Sequence, residues 1–96
     1  MSAGKMMPFY GARRDGNEDE IIDALESLGF HVEPVSEPGV PDVILSRRGR
    51  WFLAEVKSLK GRETKAQTSF RSRARAPIPI FRKIGDVIAW ERGLAP

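Results

Sequence analysis

Asp42, Glu55 and Lys57 stand in the stretch GVPDVILSRRGRWFLAEVKS, where the neighbouring residues read as buried strand. Burying a charge is costly unless the charge is paired or binds a metal. Twelve residues separate the two carboxylates, and the lysine follows Glu55 by two. Alternation along a strand puts Glu55 and Lys57 on one face and Phe52, Ala54 and Val56 on the other. RRGR, centred on Gly49, reads as a hairpin turn. That turn lays the strand opening at Asp42 beside the strand carrying Glu55, so the three charged groups converge at one edge of a sheet. Two carboxylates held close together repel each other unless a cation sits between them. Oxygen-only ligands suit Mg²⁺ or Mn²⁺. A hard divalent cation beside a lysine suits phosphodiester hydrolysis. The metal lowers the pKa of a bound water, and the lysine orients that water or stabilises developing charge.

The charge distribution points the same way. Residues 1–46 carry three Lys or Arg against nine Asp or Glu, whereas residues 47–96 carry thirteen against four. A strongly basic half suits a polyanionic partner, because Lys and Arg displace counterions from phosphates. Arg47, Arg48, Arg50, Lys60, Arg62, Lys65, Arg71, Arg73 and Arg75 are the candidate phosphate contacts, acting as a group. The bland alternative is a solvated basic face.

A length of 96 residues fits one domain with a small core. No apolar run approaches the roughly 20 residues that cross a bilayer, so no membrane partner is expected. The start, MSAGKMMPFYGARRDG, lacks the apolar centre of a signal peptide. The absence of cysteine excludes disulfides, thiolate metal sites and a cysteine nucleophile. The absence of cysteine suits the cytoplasm of a bacterial or infected-host cell.

The elements that must position the charges follow from periodicity. Residues 1–16 show none and read as a flexible arm, leaving 17–96 as the domain. NEDEIIDALESLGF reads as an amphipathic helix with Ile21, Ile22, Leu25 and Leu28 on one face, a capping box from Asn17 to Glu20, and a stop at Gly29. FHVEPV is a first strand limited to an edge by Pro34, PDVILS a second, and WFLAEVKS a third. The third is nearly continuously apolar, which predicts a central strand covered on both faces. Thr64 and Gln67 form a second capping box, opening a basic helix through KAQTSFRSRARA. PIPIF is a fourth strand, and KIGDVIAWERG a closing helix with Ile84, Val87, Ile88 and Trp90 inward. Trp51 and Trp90 both read as core residues. His31, the single histidine, reads as structural. The order αβββαβα predicts an α/β domain with a mixed central sheet flanked by helices.

Pro41–Asp42, a twelve-residue spacer and Glu55–Val56–Lys57 together resemble the PD-(D/E)xK nuclease signature. Within that superfamily the chain is most similar to small stand-alone VRR-NUC (virus-type replication-repair nuclease) domains, themselves similar to archaeal-type Holliday-junction resolvases. NEDEIIDAL resembles the first family helix, GVPDVIL the aspartate strand, and TKAQ the downstream helix carrying a glutamine. The likeness spans roughly residues 15–92, and the superfamily's restriction-endonuclease-like αβββαβα core agrees with the order above. The resemblance implies that Asp42, Glu55 and the Val56 carbonyl bind Mg²⁺ or Mn²⁺. It implies that Lys57 positions or activates water, that Glu18 completes the site, and that Gln67 steadies Lys57 or the scissile phosphate. It also implies a homodimer acting on DNA, branched or duplex, without a small-molecule cofactor, and a viral or mobile-element origin. PIPIF departs from the pattern at the sheet edge. Two other readings stand beside this one: a non-catalytic DNA-binding accessory subunit that keeps the fold, and a nuclease acting on RNA. Glu18 as a first-turn charge and Gln67 as a capping partner are the plain readings of those residues.

Overall fold

A four-stranded mixed sheet organises the chain, accompanied by three helices. The computed structural model describes residues 17–96, so the expectation for the arm 1–16 lies outside the described residues. The elements are α1 (Glu18–Ser27), β1 (His31–Pro34), β2 (Val43–Arg47), β3 (Arg50–Val56), α2 (Lys65–Arg73), β4 (Ile80–Phe81) and α3 (Ile84–Arg92). The strand order is β1-β2-β3-β4, antiparallel for the first two pairs and parallel for the last. Among the described residues no helix is long and apolar enough to cross a membrane.

α1 buries Ile21 and Leu25, four residues apart on one helical face. Three acids, Glu18, Asp19 and Glu20, sit in its first turn, where the helix dipole favours them. The capping box expected from Asn17 to Glu20 does not form. Asn17 Nδ2 instead donates to the carbonyls of Lys57 at 2.9 Å and Arg82 at 2.6 Å. Two backbone acceptors from distant elements have taken the side chain that would cap the helix. Gly29 has φ +93° and ends α1 in a conformation that glycine adopts without a steric penalty.

The hairpin between β2 and β3 is a two-residue turn, since Arg47 pairs with Arg50. Arg48 and Gly49 both have positive φ, 54° and 77°. That conformation matches the right-handed twist of the flanking strands. Pro34 ends the edge strand β1, as its missing N–H requires.

One sheet face carries the core. Ile21, Leu25, Phe30, Val32, Val43, Leu45, Ala54, Val56, Phe81 and Val87 are buried there under α1 and α3. Trp90 completes it, with its ring 5.1 to 5.3 Å from those of Phe52, Phe30 and Phe81. Ile84 and Ile88, expected inward, are exposed on the outer side of α3.

The second face is only partly covered. α2 ends at Arg73, three residues before the Ala76 limit read from the sequence, because Ala74 turns extended and Pro77 disfavours helix at the residue before it. PIPIF shrinks to a two-residue strand because Pro77 and Pro79 cannot donate to a ladder. With α2 and β4 both short, β3 is not covered along its length. Trp51, read as core, is 72% exposed.

Candidate functional site

The β2–β3 register pairs Val43 with Ala54, which sets Asp42 across from Glu55 at the end of the ladder. Asp42 Oδ2 accepts a hydrogen bond from the Val56 N–H at 3.0 Å. Its own carbonyl accepts from Val35 N at 2.8 Å, and Pro41 before it is fully buried. The aspartate is therefore fixed at both its backbone and its side chain. On the other side of β3, Glu55 N donates to Pro79 O and Lys57 N to Phe81 O, at 2.9 and 3.0 Å. The Glu55–Val56–Lys57 segment is thus held between two strands.

Glu55 is 0% exposed. Its Oε1 accepts from Arg71 Nη2 at 3.2 Å, and the same guanidinium bonds Glu63 Oε2 through Nε at 2.9 Å and Nη2 at 2.7 Å. Arg71 Nη1 also donates to the Ile78 carbonyl, which anchors the guanidinium. Oε2 of Glu55 is buried with no hydrogen-bond partner among the described residues. Burial, then contact with the Glu63 carboxyl, pushes the Glu55 carboxyl up to about 7, against the pull of Arg71. Glu63 moves the other way, held down to about 2 by its contacts with Glu55 and then Arg71. Burial opposes the charge on Arg71, but the two carboxylates outweigh it and its pKa rises. The cluster thus sets one buried carboxyl that burial holds toward its protonated form beside one carboxylate held ionised.

α1 arrives at the same end of the sheet. The Asn17 bond to the Lys57 carbonyl pins the helix start to the end of β3, and Glu18, the next residue, is buried at 3% exposure. Lys57 is half-buried. Among the described residues, however, no three or more His, Cys, Asp or Glu side chains form a group that would hold a metal ion. The structure therefore brings Asp42 and Glu55 together and sets Glu18 at the same end of the sheet, without joining all three into one cluster.

The other expected residues divide. Gln67 is buried and serves the capping box: its N–H donates to Thr64 Oγ1 at 3.1 Å, and its Oε1 accepts from Thr64 N at 3.0 Å. Arg47, Arg48 and Arg50 stand at the hairpin end of β3, about 17 Å from Glu55 at the usual strand rise. Arg47 is engaged there, donating to Leu28 O at 3.0 Å and Glu91 Oε2 at 3.1 Å and stacking over Phe30. Arg73 bonds Ser69 Oγ at 2.5 Å. Lys60, Arg62, Lys65 and Arg75 are exposed. Arg71 is not an outward cation but the partner of Glu55.

Three contributors were not singled out for this site from the sequence. Glu63 and the Glu55-binding role of Arg71 depend on a loop folding back onto β3, which no local pattern announces. Arg82 holds that loop, donating to Ser58 O and Gly61 O at 2.6 Å each. No protein-family model, curated protein or solved structure matches this chain.

Proposed function

We propose that this chain is a metal-dependent endonuclease of the PD-(D/E)xK kind, hydrolysing phosphodiester bonds in DNA as a homodimer, with branched DNA as its preferred substrate. The observation that carries the reading is the buried carboxylate of Glu55, with one oxygen unpartnered among the described residues, opposite Asp42 and two residues before Lys57. A protein has little reason to keep such a group in its interior unless it has work to do there.

Two carboxylates and the Val56 carbonyl fit Mg²⁺ or Mn²⁺. Mg²⁺ is commonly held by one or two carboxylates and completes its shell with water and substrate phosphate. A bound cation would supply Lewis acidity toward a phosphate oxygen and a more acidic water. The chain's own residues do the rest. Asp42, locked by Val56 N–H, orients the donor set. Lys57 directs its ammonium toward the phosphate or the attacking water. Glu18 offers a second buried carboxylate at the same end, and the exposed Lys60, Arg62, Lys65 and Arg75 hold the nucleic-acid backbone.

A second reading draws on Arg71. With Glu55 already paired to a guanidinium and no three-carboxylate group formed among the described residues, a non-catalytic DNA-binding subunit also fits. Incubation with duplex, flap and four-way-junction DNA in Mg²⁺ or Mn²⁺ separates the two. Cleavage that EDTA abolishes supports the enzyme; tight, metal-independent binding without cleavage on any substrate supports the accessory subunit.

A further inference from the structure

A groove of about 750 Å³ opens along the edge of β3 that β4 leaves unpaired, reaching from the second face of the sheet to Phe52 and Trp90 at the rim of the core. Trp51, Leu53, Phe70 and Ile78 line it, and among the described residues its charged lining is Arg50 and Arg75, with no acid. Trp51 is exposed, Leu53 and Phe70 beside it are half-buried, and Ile78 forms the floor, a contiguous apolar patch of the kind that marks a binding surface.

The groove neighbours the candidate site along β3 and α2. Trp51, Leu53 and Glu55 alternate onto one face of β3, so the indole and the buried carboxylate lie about 14 Å apart along one strand. α2 spans the same interval, with Arg71 on Glu55 and Phe70 in the groove. β4 pairs only with Glu55 and Val56, so at Leu53 this edge of β3 has no strand partner among the described residues.

We infer that unpaired DNA bases adjoining the scissile phosphate lie in this groove and stack on Trp51. The inference rests on the nuclease reading of the Glu55 site and narrows its substrate to DNA with a single-stranded segment beside the cut. A nucleobase has two flat apolar faces, a hydrogen-bonding edge and an attached phosphate. The groove offers an aromatic face, an open strand edge and two arginines, the combination that single-strand binders use. Bases within a duplex are already stacked and gain nothing here. Among the described residues the lining holds no hydroxyl or carboxylate side chain to pair with a 2′-OH, so the DNA assignment follows the nuclease reading. A second copy of the chain is the poorer occupant, since a two-fold contact would bring the arginines of both grooves together with no lining carboxylate between them.

The test measures binding in EDTA, where cleavage plays no part. Short oligo-dT, oligo-U and duplex DNA are titrated against the full chain and against Trp51→Ala and Trp51→Phe. Trp51→Ala should weaken oligo-dT about tenfold, Trp51→Phe less than about threefold, and duplex binding should change less than about twofold. A chain that binds oligo-dT through Trp51 yet never cuts DNA keeps the groove and discards the enzyme. Equal oligo-dT affinity in wild type and Trp51→Ala overturns the inference, as does an equal loss on duplex or tighter binding of oligo-U. So does shielding of the Trp51 emission from acrylamide before any DNA is added. Shielding that grows with protein concentration assigns the groove to a second copy.

Discussion

Arg71 Nη2 lies 3.2 Å from Oε1 of Glu55, pairing a helix guanidinium with a carboxylate that has no solvent exposure. A buried carboxylate that loses its counter-ion destabilises a fold strongly unless it can take up a proton. Arg71→Ala should therefore cost about 2 kcal/mol at pH 8 and clearly less at pH 5.5, where Glu55 is protonated. Urea melts at the two pH values measure the difference. An equal loss at both would mean that Arg71 serves packing alone.

Glu55→Gln separates stability from activity. The amide oxygen keeps the Arg71 contact and removes the charge that burial penalises. Stability at pH 8 should stay level or rise by about 1 kcal/mol, while metal-dependent cleavage falls by two or more orders of magnitude. A large loss of stability would show that the carboxylate is there to hold the fold.

The Glu55–Glu63 pair also sets a pH dependence for the protein without added divalent metal. The Glu55 pKa is raised from 4.5 to about 7, so the folded state holds a proton that the unfolded state has released. Its contribution is complete below 4.5 and disappears as pH rises through 7. The Glu63 pKa is lowered from 4.5 to about 2, so its contribution is present above 4.5 and disappears as pH falls through 2. Stability from this pair should peak near pH 4.5 and decline toward pH 8. Denaturation midpoints across that range check it, and Glu55→Gln should flatten the decline on the alkaline side.

Asn17 gives a prediction about assembly of the site. Its amide joins the start of α1 to Lys57 and Arg82. Asn17→Ala removes both bonds and should cost about 2 kcal/mol. It should also lower cleavage more than stability alone accounts for, because Glu18 loses its anchor to β3. Activity at a temperature where the variant remains folded is the measurement.

Much of this arrangement was legible in the sequence, for identifiable reasons. α1 came from the spacing of Ile21 and Leu25, and the hairpin from Gly49. The pairing of β2 with β3 followed from the short turn, and it sets Asp42 opposite Glu55. The Thr64–Gln67 box was readable because capping is local. What was not readable depended on distant contacts. Asn17 looked like a cap until Lys57 and Arg82 competed for its amide. Trp51 looked buried because its strand is apolar, but nothing in WFLAEVKS reveals that prolines cut the neighbouring strand to two residues. Arg71 looked like one more basic residue on a basic helix, and only the fold shows it facing Glu55 and Glu63.

The most direct measurement of the central claim is cleavage of four-way-junction and flap DNA in Mg²⁺ by wild type, Asp42→Ala and Lys57→Ala, each with an EDTA control. Wild type should cut. Each variant should be slower by about a hundredfold or more, and EDTA should abolish cutting altogether. Identical products from wild type and both variants, or cutting that persists in EDTA, would contradict the assignment of this site as a metal-dependent nuclease.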